Sequence, residues 1–172
     1  VKDLMKLNNG QVFSPMYIEN KLKFSAYIRE AVALGNGRDF VSALVSIDYL
    51  SVGKWAEDNQ IVYTTFTDLS QKDEVYDLIK KEVVGRVNPD LPSESRIKKF
   101  TLLAKELDAD DAELTRTRKL RRSFVEERYK EYIDALYGGK SEHTVAFTVK
   151  YQDGREAEMK SRVKIISLDG GA

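Results

Sequence analysis

Apolar residues follow two different periods along this chain, and these periods predict a mixture of helices and strands. Between Ser70 and about Val87 the apolar residues recur every four positions, which is typical of a helix with one buried face. Ile28 to Leu34 and Phe40 to Ile47 are short and rich in apolar residues, and the second run is nearly continuous, as in a central strand. The turn Gly35-Asn36-Gly37 separates these two predicted strands.

The first fifteen residues predict a small hairpin. Two short extended pieces flank Asn8-Asn9-Gly10, and an Asn-Gly pair favours the positive φ angles of a tight turn. Ser14-Pro15 then resembles a helix start, with serine as the cap and proline at the first helical position. We expect this helix to run from about Met16 to Phe24.

The remaining pattern predicts two more helices, one more strand and a closing hairpin. The further elements are a helix near Ser51 to Asn59, a strand at Ile97 to Leu103, a helix from Leu120 to Tyr137, and a hairpin that turns at Asp153-Gly154. The predicted class is α+β: a small central β-sheet flanked by helices, with an N-terminal two-stranded hairpin and a C-terminal β-hairpin. We expect 1–140 to form one domain, 141–172 to pack on it as a hairpin appendage, and Leu168 to Ala172 to fray.

Composition narrows the classes of function. The 172 residues carry 28 basic and 28 acidic side chains, and a formal net charge of zero argues against a dedicated nucleic-acid binder. Cysteine is absent, which excludes disulfides and thiolate chemistry, and the single histidine, His143, argues against a Ser-His-Asp triad or a multi-histidine metal site. No apolar run approaches the roughly 18 residues that span a bilayer. We therefore expect a cytoplasmic protein with no transmembrane segment.

Two segments carry candidate chemistry. The first, Lys2 to Pro15, is a lysine-rich hairpin with a glycine at its tip, where a ligand can approach the backbone closely. The second, Asp108 to Arg122, is a basic cluster at a loop-to-helix junction, a place where free N–H groups and the helix dipole favour anions. From the pattern alone, a solvated turn and a solvated basic stretch remain open for the two segments.

Both segments resemble signature motifs in the C-terminal domain of adenylate-forming enzymes, the acyl-CoA synthetase and luciferase superfamily. In the first motif the matching residues are Lys2, Asp3, Lys6, Gly10, Pro15, Ile18 and Glu19. In the second they are Leu114, Thr115, Thr117, Lys119, Arg121 and Arg122. The stretches Ile28 to Asp48 and Tyr63 to Ile79 also resemble long-chain fatty acyl-CoA ligases, and the similarity covers Val1 to Tyr137.

The resemblance implies a two-step reaction in which a fatty acid and ATP give acyl-adenylate and pyrophosphate, and CoA then displaces AMP. It assigns Lys119 to the α-phosphate during adenylation and Lys6 to the thioester-forming state. It places the hinge at Lys2 and Asp3. The loop that lines the pantetheine tunnel corresponds to Asn9, Gly10 and Gln11. Two positions depart from the family pattern: Arg116 stands where long-chain ligases often have proline, and Ala112 where glycine is common.

The resemblance also implies partners and cofactors. ATP, CoA and Mg²⁺ would be bound mainly by a large N-terminal adenylation domain, which is the expected partner and is missing from this sequence. We expect no cofactor to be bound by this fragment, no resident metal site, and no catalysis by the fragment alone. The other expected partner is the fatty acid substrate, and peripheral association with a membrane is compatible with this class.

Two alternatives remain open at this point. One is the lid of a related ligase that delivers its acyl group to a carrier protein, and the upstream acyl pocket would discriminate it. The other is a non-enzymatic module that uses Arg116 to Arg122 to bind nucleic acid or an anionic membrane.

Overall fold

The computed structural model describes residues 4–107, 121–150 and 153–168. In chain order its strands and α-helices are β1 (Met5–Lys6), β2 (Val12–Phe13), α1 (Pro15–Lys23), β3 (Ile28–Leu34), β4 (Val41–Ile47), α2 (Tyr49–Asp58), α3 (Phe66–Ser70), α4 (Asp73–Glu82), β5 (Ile97–Leu102), α5 (Arg122–Arg128), α6 (Lys130–Tyr137), β6 (Glu142–Lys150), β7 (Glu156–Lys164) and β8 (Ile166–Ser167). The predicted α+β class is confirmed, with hairpins β1–β2 and β6–β7 beside a central sheet.

The central sheet has four strands in the order β3-β4-β5-β8. β3 and β4 are antiparallel neighbours, β4 and β5 run parallel, and β8 is antiparallel to β5. The parallel β4–β5 pair needs a crossover connection, and α2, α3 and α4 lie within it. Every residue of β4 is buried, which is why its sequence is nearly continuously apolar rather than alternating.

Two hydrophobic layers cover the two faces of this sheet. Ala31, Val45 and Phe100 belong to the layer that contains the apolar faces of α1 to α4. Val32 and Leu44 point to the other face and join the apolar residues of α5, α6 and the tail hairpin. Because successive side chains of a strand point to opposite faces, β3 and β4 connect the two layers directly.

The single helix predicted from Ser70 to Val87 is wrong in detail. The chain forms α3 and α4 with a break at Gln71 and Lys72, and continues after α4 as a π-helical turn at Val83–Val87. Thr65 caps α3 by accepting a hydrogen bond from the backbone N–H of Asp68. At the break, Gln71 donates its side-chain amide to the carbonyl oxygen of Leu102 at the end of β5 (3.1 Å). This tertiary hydrogen bond has no signature in the local pattern.

The predicted helix from Leu120 to Tyr137 is also two helices within the described residues. α5 and α6 meet at Tyr129, whose φ of −103° and ψ of 26° interrupt the helix. The rings of Tyr129 and Tyr132 pack edge to face with centroids 5.4 Å apart, and Tyr132 accepts a hydrogen bond from the backbone N–H of Ala104. Phe124 of α5 is half-buried, whereas Val125 beside it is fully buried.

The tail contributes an edge strand that the sequence pattern missed. After β7 the chain enters β8, and the backbone N–H of Leu168 donates to the carbonyl of Lys98 (2.8 Å). The expected fraying is therefore wrong at Leu168, while 169–172 lie outside the described residues. Tyr76 of α4 holds the end of β7, because its hydroxyl oxygen accepts a hydrogen bond from the backbone N–H of Lys164 (3.0 Å).

Removing the Tyr76 hydroxyl tests this attachment of the tail. Tyr76 is 2% exposed and also donates to Oε1 of Gln71, so Tyr76→Phe leaves two polar groups without their partner. We expect the free energy of unfolding to fall by about 1 to 3 kcal/mol in urea denaturation. Tyr17→Phe, at a tyrosine that is 50% exposed, is the matched control and should leave stability unchanged. Equal stability of the two variants would contradict the proposed attachment.

Candidate functional site: the hairpin tip and the start of α5

The tip of the β1–β2 hairpin is a fixed turn with an open glycine. The backbone N–H of Leu7 donates to the carbonyl of Gln11 (2.9 Å), and the N–H of Gly10 donates to the carbonyl of Leu7 (3.0 Å). Asn9 accepts a further bond from the N–H of Gln11 with its side-chain oxygen (2.8 Å). Gly10 has a φ of +92°, and a Cβ atom built there meets no heavy atom of the described residues within 4 Å. The turn is therefore conformationally defined while its outer surface stays bare.

The hairpin is seated on the turn between β3 and β4. The N–H of Asn8 donates to the carbonyl of Arg38 (2.8 Å), and the N–H of Gly37 donates to the carbonyl of Lys6 (2.9 Å). Two side-chain hydrogen bonds join the same two segments. The Asn8 side chain donates to Oδ1 of Asp39 (2.8 Å), and the Asn36 side chain accepts from the backbone N–H of Lys6 (3.2 Å). These bonds hold the tip in one orientation relative to the central sheet.

Gly35 is required for this close seating. A Cβ atom at Gly35 would lie 2.9 Å from Cζ of Phe13 and 3.2 Å from a terminal carbon of Leu7. Both of these hairpin side chains are buried, with exposures of 5% and 3%. Any larger residue at position 35 would therefore push the hairpin away from the sheet.

Lys6 lies on β1, opposite Val12, and is exposed. Among the described residues the structure places no acidic side chain within ion-pair distance of its ammonium group. Lys6 and the Gly10 turn belong to the same hairpin. An exposed lysine there offers a mobile positive charge.

The two motif segments meet in an ion pair between Glu19 of α1 and Arg122 at the start of α5. Nη1 of Arg122 lies 2.7 Å from Oε2 of Glu19, and Nη2 lies 2.8 Å from Oε1, so the pair is bidentate. The Glu19 side chain is 8% exposed and the Arg122 side chain 22%. Glu19 also accepts from the backbone N–H of Ala33 on β3 (2.8 Å). Paired and hydrogen-bonded in this way, the buried charge is compensated.

This ion pair positions the chain just after Lys119. Arg122 follows Lys119 by three residues in the sequence, and 108–120 lie outside the described residues. The position of the Lys119 side chain therefore stays a prediction. What the structure does establish is that the point at which this basic segment enters α5 is held against α1 and β3.

A groove of about 330 Å³ opens between the hairpin seat and α6. Its lining includes Met5, Arg38 and Tyr137, and the Arg38 guanidinium lies 4.6 Å from the centre of the Tyr137 ring. The hydroxyl of Tyr137 donates to the carbonyl of Phe40 (2.9 Å) and accepts from Ser42 (2.8 Å). Burial raises the pKa of Tyr137 to about 12, so this tyrosine is a neutral packing residue at physiological pH.

The structure thus brings together part of the predicted site. Lys6, Asn9, Gly10 and Gln11 share one hairpin, and the hinge residues Lys2 and Asp3 lie outside the described residues together with Lys119. The described part of the chain contains no group of three histidine, cysteine or acidic side chains that could hold a metal ion. None of its helices is long and apolar enough to cross a membrane.

Comparison with known proteins identifies the family. A family model described as the AMP-binding enzyme C-terminal domain matches residues 2–141. This chain belongs to that family. The match includes both motif segments, and it ends where β6 begins.

Curated relatives of this AMP-binding enzyme C-terminal domain are long-chain fatty acid–CoA ligases. FadD15 of Mycobacterium tuberculosis is 27% identical over 137 residues, which cover 79% of this chain and 23% of that protein. The ligase ACSBG1 of Bos taurus is 31% identical over 156 residues, which cover 80% of this chain and 21% of that protein. The chain therefore spans less than a quarter of the length of these relatives.

Solved structures share the fold of this domain. The adenylation domain of a carboxylate reductase from Mycobacterium chelonae matches 79% of this chain and 19% of its own length, with a TM-score of 0.61 and 21% identity. The A domain of a carboxylic acid reductase from Segniliparus rugosus, in complex with AMP and a co-purified carboxylic acid, matches 79% of this chain and 20% of its own length, with a TM-score of 0.62 and 18% identity.

Sequence reasoning missed the residues that support the site. It treated Gly35-Asn36-Gly37 as a plain turn, whereas this segment with Arg38 and Asp39 is the seat of the hairpin. It also did not anticipate the pairing of Arg122 with Glu19, 103 positions away. Gly35 and Gly37 could have indicated that the hairpin packs closely against this turn. No local pattern in the sequence could have indicated the ion pair.

Neutralising Glu19 tests its role as the anchor of α5. Glu19→Gln keeps the shape of the side chain but removes the negative charge that faces the half-buried Arg122 guanidinium. We expect the free energy of unfolding to fall by about 2 to 3 kcal/mol in urea denaturation. Asp134→Asn, which removes the carboxylate of the exposed Lys130–Asp134 pair, is the control and should change it by less than about 0.5 kcal/mol. Similar effects of the two substitutions would show that the Glu19 pair anchors nothing.

Proposed function

We propose that this domain is the mobile lid of an ATP-dependent long-chain fatty acid–CoA ligase. In the first step a fatty acid carboxylate attacks the α-phosphorus of ATP, forming acyl-adenylate and releasing pyrophosphate. In the second step the thiol of CoA attacks the acyl carbonyl carbon, forming the thioester and releasing AMP. The family membership and the activity of the curated relatives, which are long-chain fatty acid–CoA ligases, support this proposal.

In the second step, the open turn at Gly10 would lie against the pantetheine arm of CoA. The turn is held by backbone bonds and by Asn9, yet no described atom lies within 4 Å of a Cβ built on the glycine. An extended pantetheine arm can approach such a backbone more closely than it can approach any residue with a side chain. Lys6, on the same hairpin, would add a positive charge near the departing AMP. Asn9, Gly10 and Gln11 are the proposed CoA-binding residues.

Lys119 is the proposed group for the first step. Negative charge increases around the α-phosphorus as the carboxylate attacks, and a fixed cation there lowers the barrier. The Glu19–Arg122 pair would restrict the segment that bears Lys119, because it fastens the residue at which that segment enters α5. A lysine on a restrained segment loses less conformational freedom when it reaches the reacting phosphate.

The two steps require two different surfaces of this domain to face the reacting groups in turn. The hairpin and the start of α5 belong to different motif segments of one body, so we propose that the whole domain rotates between the steps. Lys2 and Asp3 would absorb this rotation in a few backbone dihedrals, since they directly precede the hairpin. ATP and Mg²⁺ would be held mainly by the N-terminal adenylation domain, as the resemblance to adenylate-forming enzymes implies.

Replacing Lys119 tests the first half of this proposal. In the enzyme that contains this domain, Lys119→Ala should lower the rate of acyl-adenylate formation by about 10²-fold or more. Conversion of supplied acyl-adenylate and CoA to acyl-CoA should change little, because the α-phosphate charge no longer develops in that step. The two half-reactions are measured separately, with Lys130→Ala, at an exposed lysine of α6, as the control. A parallel loss in both half-reactions would contradict the assignment.

Adding a side chain at the hairpin tip tests the second half. Gly10→Asn is among the least strained substitutions at this positive φ, and no described atom blocks the new side chain. We expect thioester formation from supplied acyl-adenylate to fall by at least about tenfold, because the new side chain displaces the pantetheine arm. Gly154→Asn is a matched control, at a glycine of φ +90° with equally open surroundings in the tail hairpin. Normal thioester formation by Gly10→Asn would place CoA elsewhere.

A further inference from the structure

Among the described residues, the outer edge of β6 pairs with no strand. β6 and β7 form a two-stranded sheet of nine residue pairs, and β7 leads into β8 beside β5. β7 also contacts β5, so β6 is the strand farther from the central sheet. In the described part of the chain β6 pairs with β7 alone. Its other edge therefore presents a row of backbone donors and acceptors without ladder partners.

The two strands of this hairpin differ in the features that normally prevent edge pairing. β7 carries charged residues at alternate exposed positions, from Glu156 and Glu158 to Lys160 and Arg162. β6 has no charged residue from Thr144 to Thr148, and it has no proline or glycine. Charges on an edge strand oppose pairing, whereas an uncharged stretch rich in β-branched and aromatic residues favours it. The unprotected edge is that of β6.

We propose that β6 pairs with β6 of a second copy of this chain, antiparallel and around a two-fold axis at Ala146. The product is a continuous four-stranded sheet with the order β7-β6-β6-β7. In this register Ala146 lies opposite Ala146 of the second copy, and Thr144 lies opposite its Thr148. Such an interface is isologous and closes at two chains, because each copy presents the same edge.

The sequence of β6 is self-complementary in this register. Val145 comes opposite Phe147 of the second copy, so the apolar positions of both strands stay on one face of the joined sheet. Thr144, Ala146 and Thr148 are exposed on the other face. This match of apolar with apolar and exposed with exposed positions favours this register for a second copy of the same strand.

The apolar side of the hairpin supports the same partner. Val145 is buried against the α5–α6 layer, whereas Phe147 is half-buried and Met159, its neighbour on β7, is 41% exposed. Pairing would bring Val145 of the second copy beside Phe147 in both halves of the interface. The partly exposed apolar end of each hairpin would thus gain a neighbour that one copy cannot supply.

The association state of the 172-residue protein tests the proposal. Sedimentation equilibrium from about 1 to 100 µM, a range that brackets a small interface of micromolar Kd, should show a shift from the 19.6-kDa chain to twice that mass. Ala146→Glu should abolish the dimer, because two carboxylates would meet at the axis. The variant should still fold, since position 146 faces Lys160 across the hairpin. Lys160→Gln, with the same change in net charge, should leave the dimer intact.

Cross-linking tests the register independently. The chain has no cysteine, so Ala146→Cys introduces a single thiol that would lie opposite itself at the axis. Mild oxidation should convert Ala146→Cys to a disulfide-linked dimer, while Thr148→Cys, equally exposed but opposite position 144, should remain largely monomeric. A wild-type protein that stays monomeric over this range would overturn the proposal. So would a dimer that survives Ala146→Glu, or equal cross-linking of the two cysteine variants.

Discussion

The bidentate ion pair between Glu19 and Arg122 is the contact on which the arrangement of this domain depends. Its partners are 103 positions apart, and they join the helix that follows the hairpin to the helix that follows the basic segment. Glu19 also accepts from the N–H of Ala33, so the same carboxylate connects both helices to β3. An apolar contact of equal area would bury both helices equally well. The planar two-point geometry additionally fixes their rotation relative to each other.

Two glycines allow the β1–β2 hairpin to pack closely against the β3–β4 turn and leave the tip of the hairpin without a side chain. Gly35 has no side chain because Phe13 and Leu7 occupy that space. Gly10 has none although space is available, and its φ of +92° allows the turn. The same residue type therefore serves opposite purposes at the two positions. One glycine permits contact within the domain, and the other leaves room for contact with something outside it.

The tail beyond the family match is connected to the fold at both of its ends. The family model ends at residue 141, yet the fourth strand of the central sheet is β8, at Ile166–Ser167. Val145 and Val163 of the hairpin lie in the same apolar layer as α5 and α6. Between these attachments, β6 pairs with no strand of the central sheet. A segment outside the family match can thus support the fold at its base and offer a separate interaction surface along β6.

The amino-acid sequence by itself determined the features that depend on neighbouring residues. The hairpin turn at Asn8-Asn9-Gly10, the Ser14-Pro15 helix start and the bounds of β3 follow from turn chemistry, capping and hydrophobic period, and the structure confirms them. The motif residues also suggested the family before any fold was known. Local pattern is sufficient there because the forces that decide these elements act over a few residues.

Only the tertiary structure decided the features that depend on distant partners. The break between α3 and α4 follows from the bond of Gln71 to Leu102, and the interruption at Tyr129 accompanies the packing of two tyrosine rings. β8 is a strand because β5 offers it an edge, since two residues have no strand signal of their own. The pairing of Glu19 with Arg122 was equally invisible in the sequence. A charged residue has many candidates along a chain, and only folding determines which of them lies within hydrogen-bonding distance.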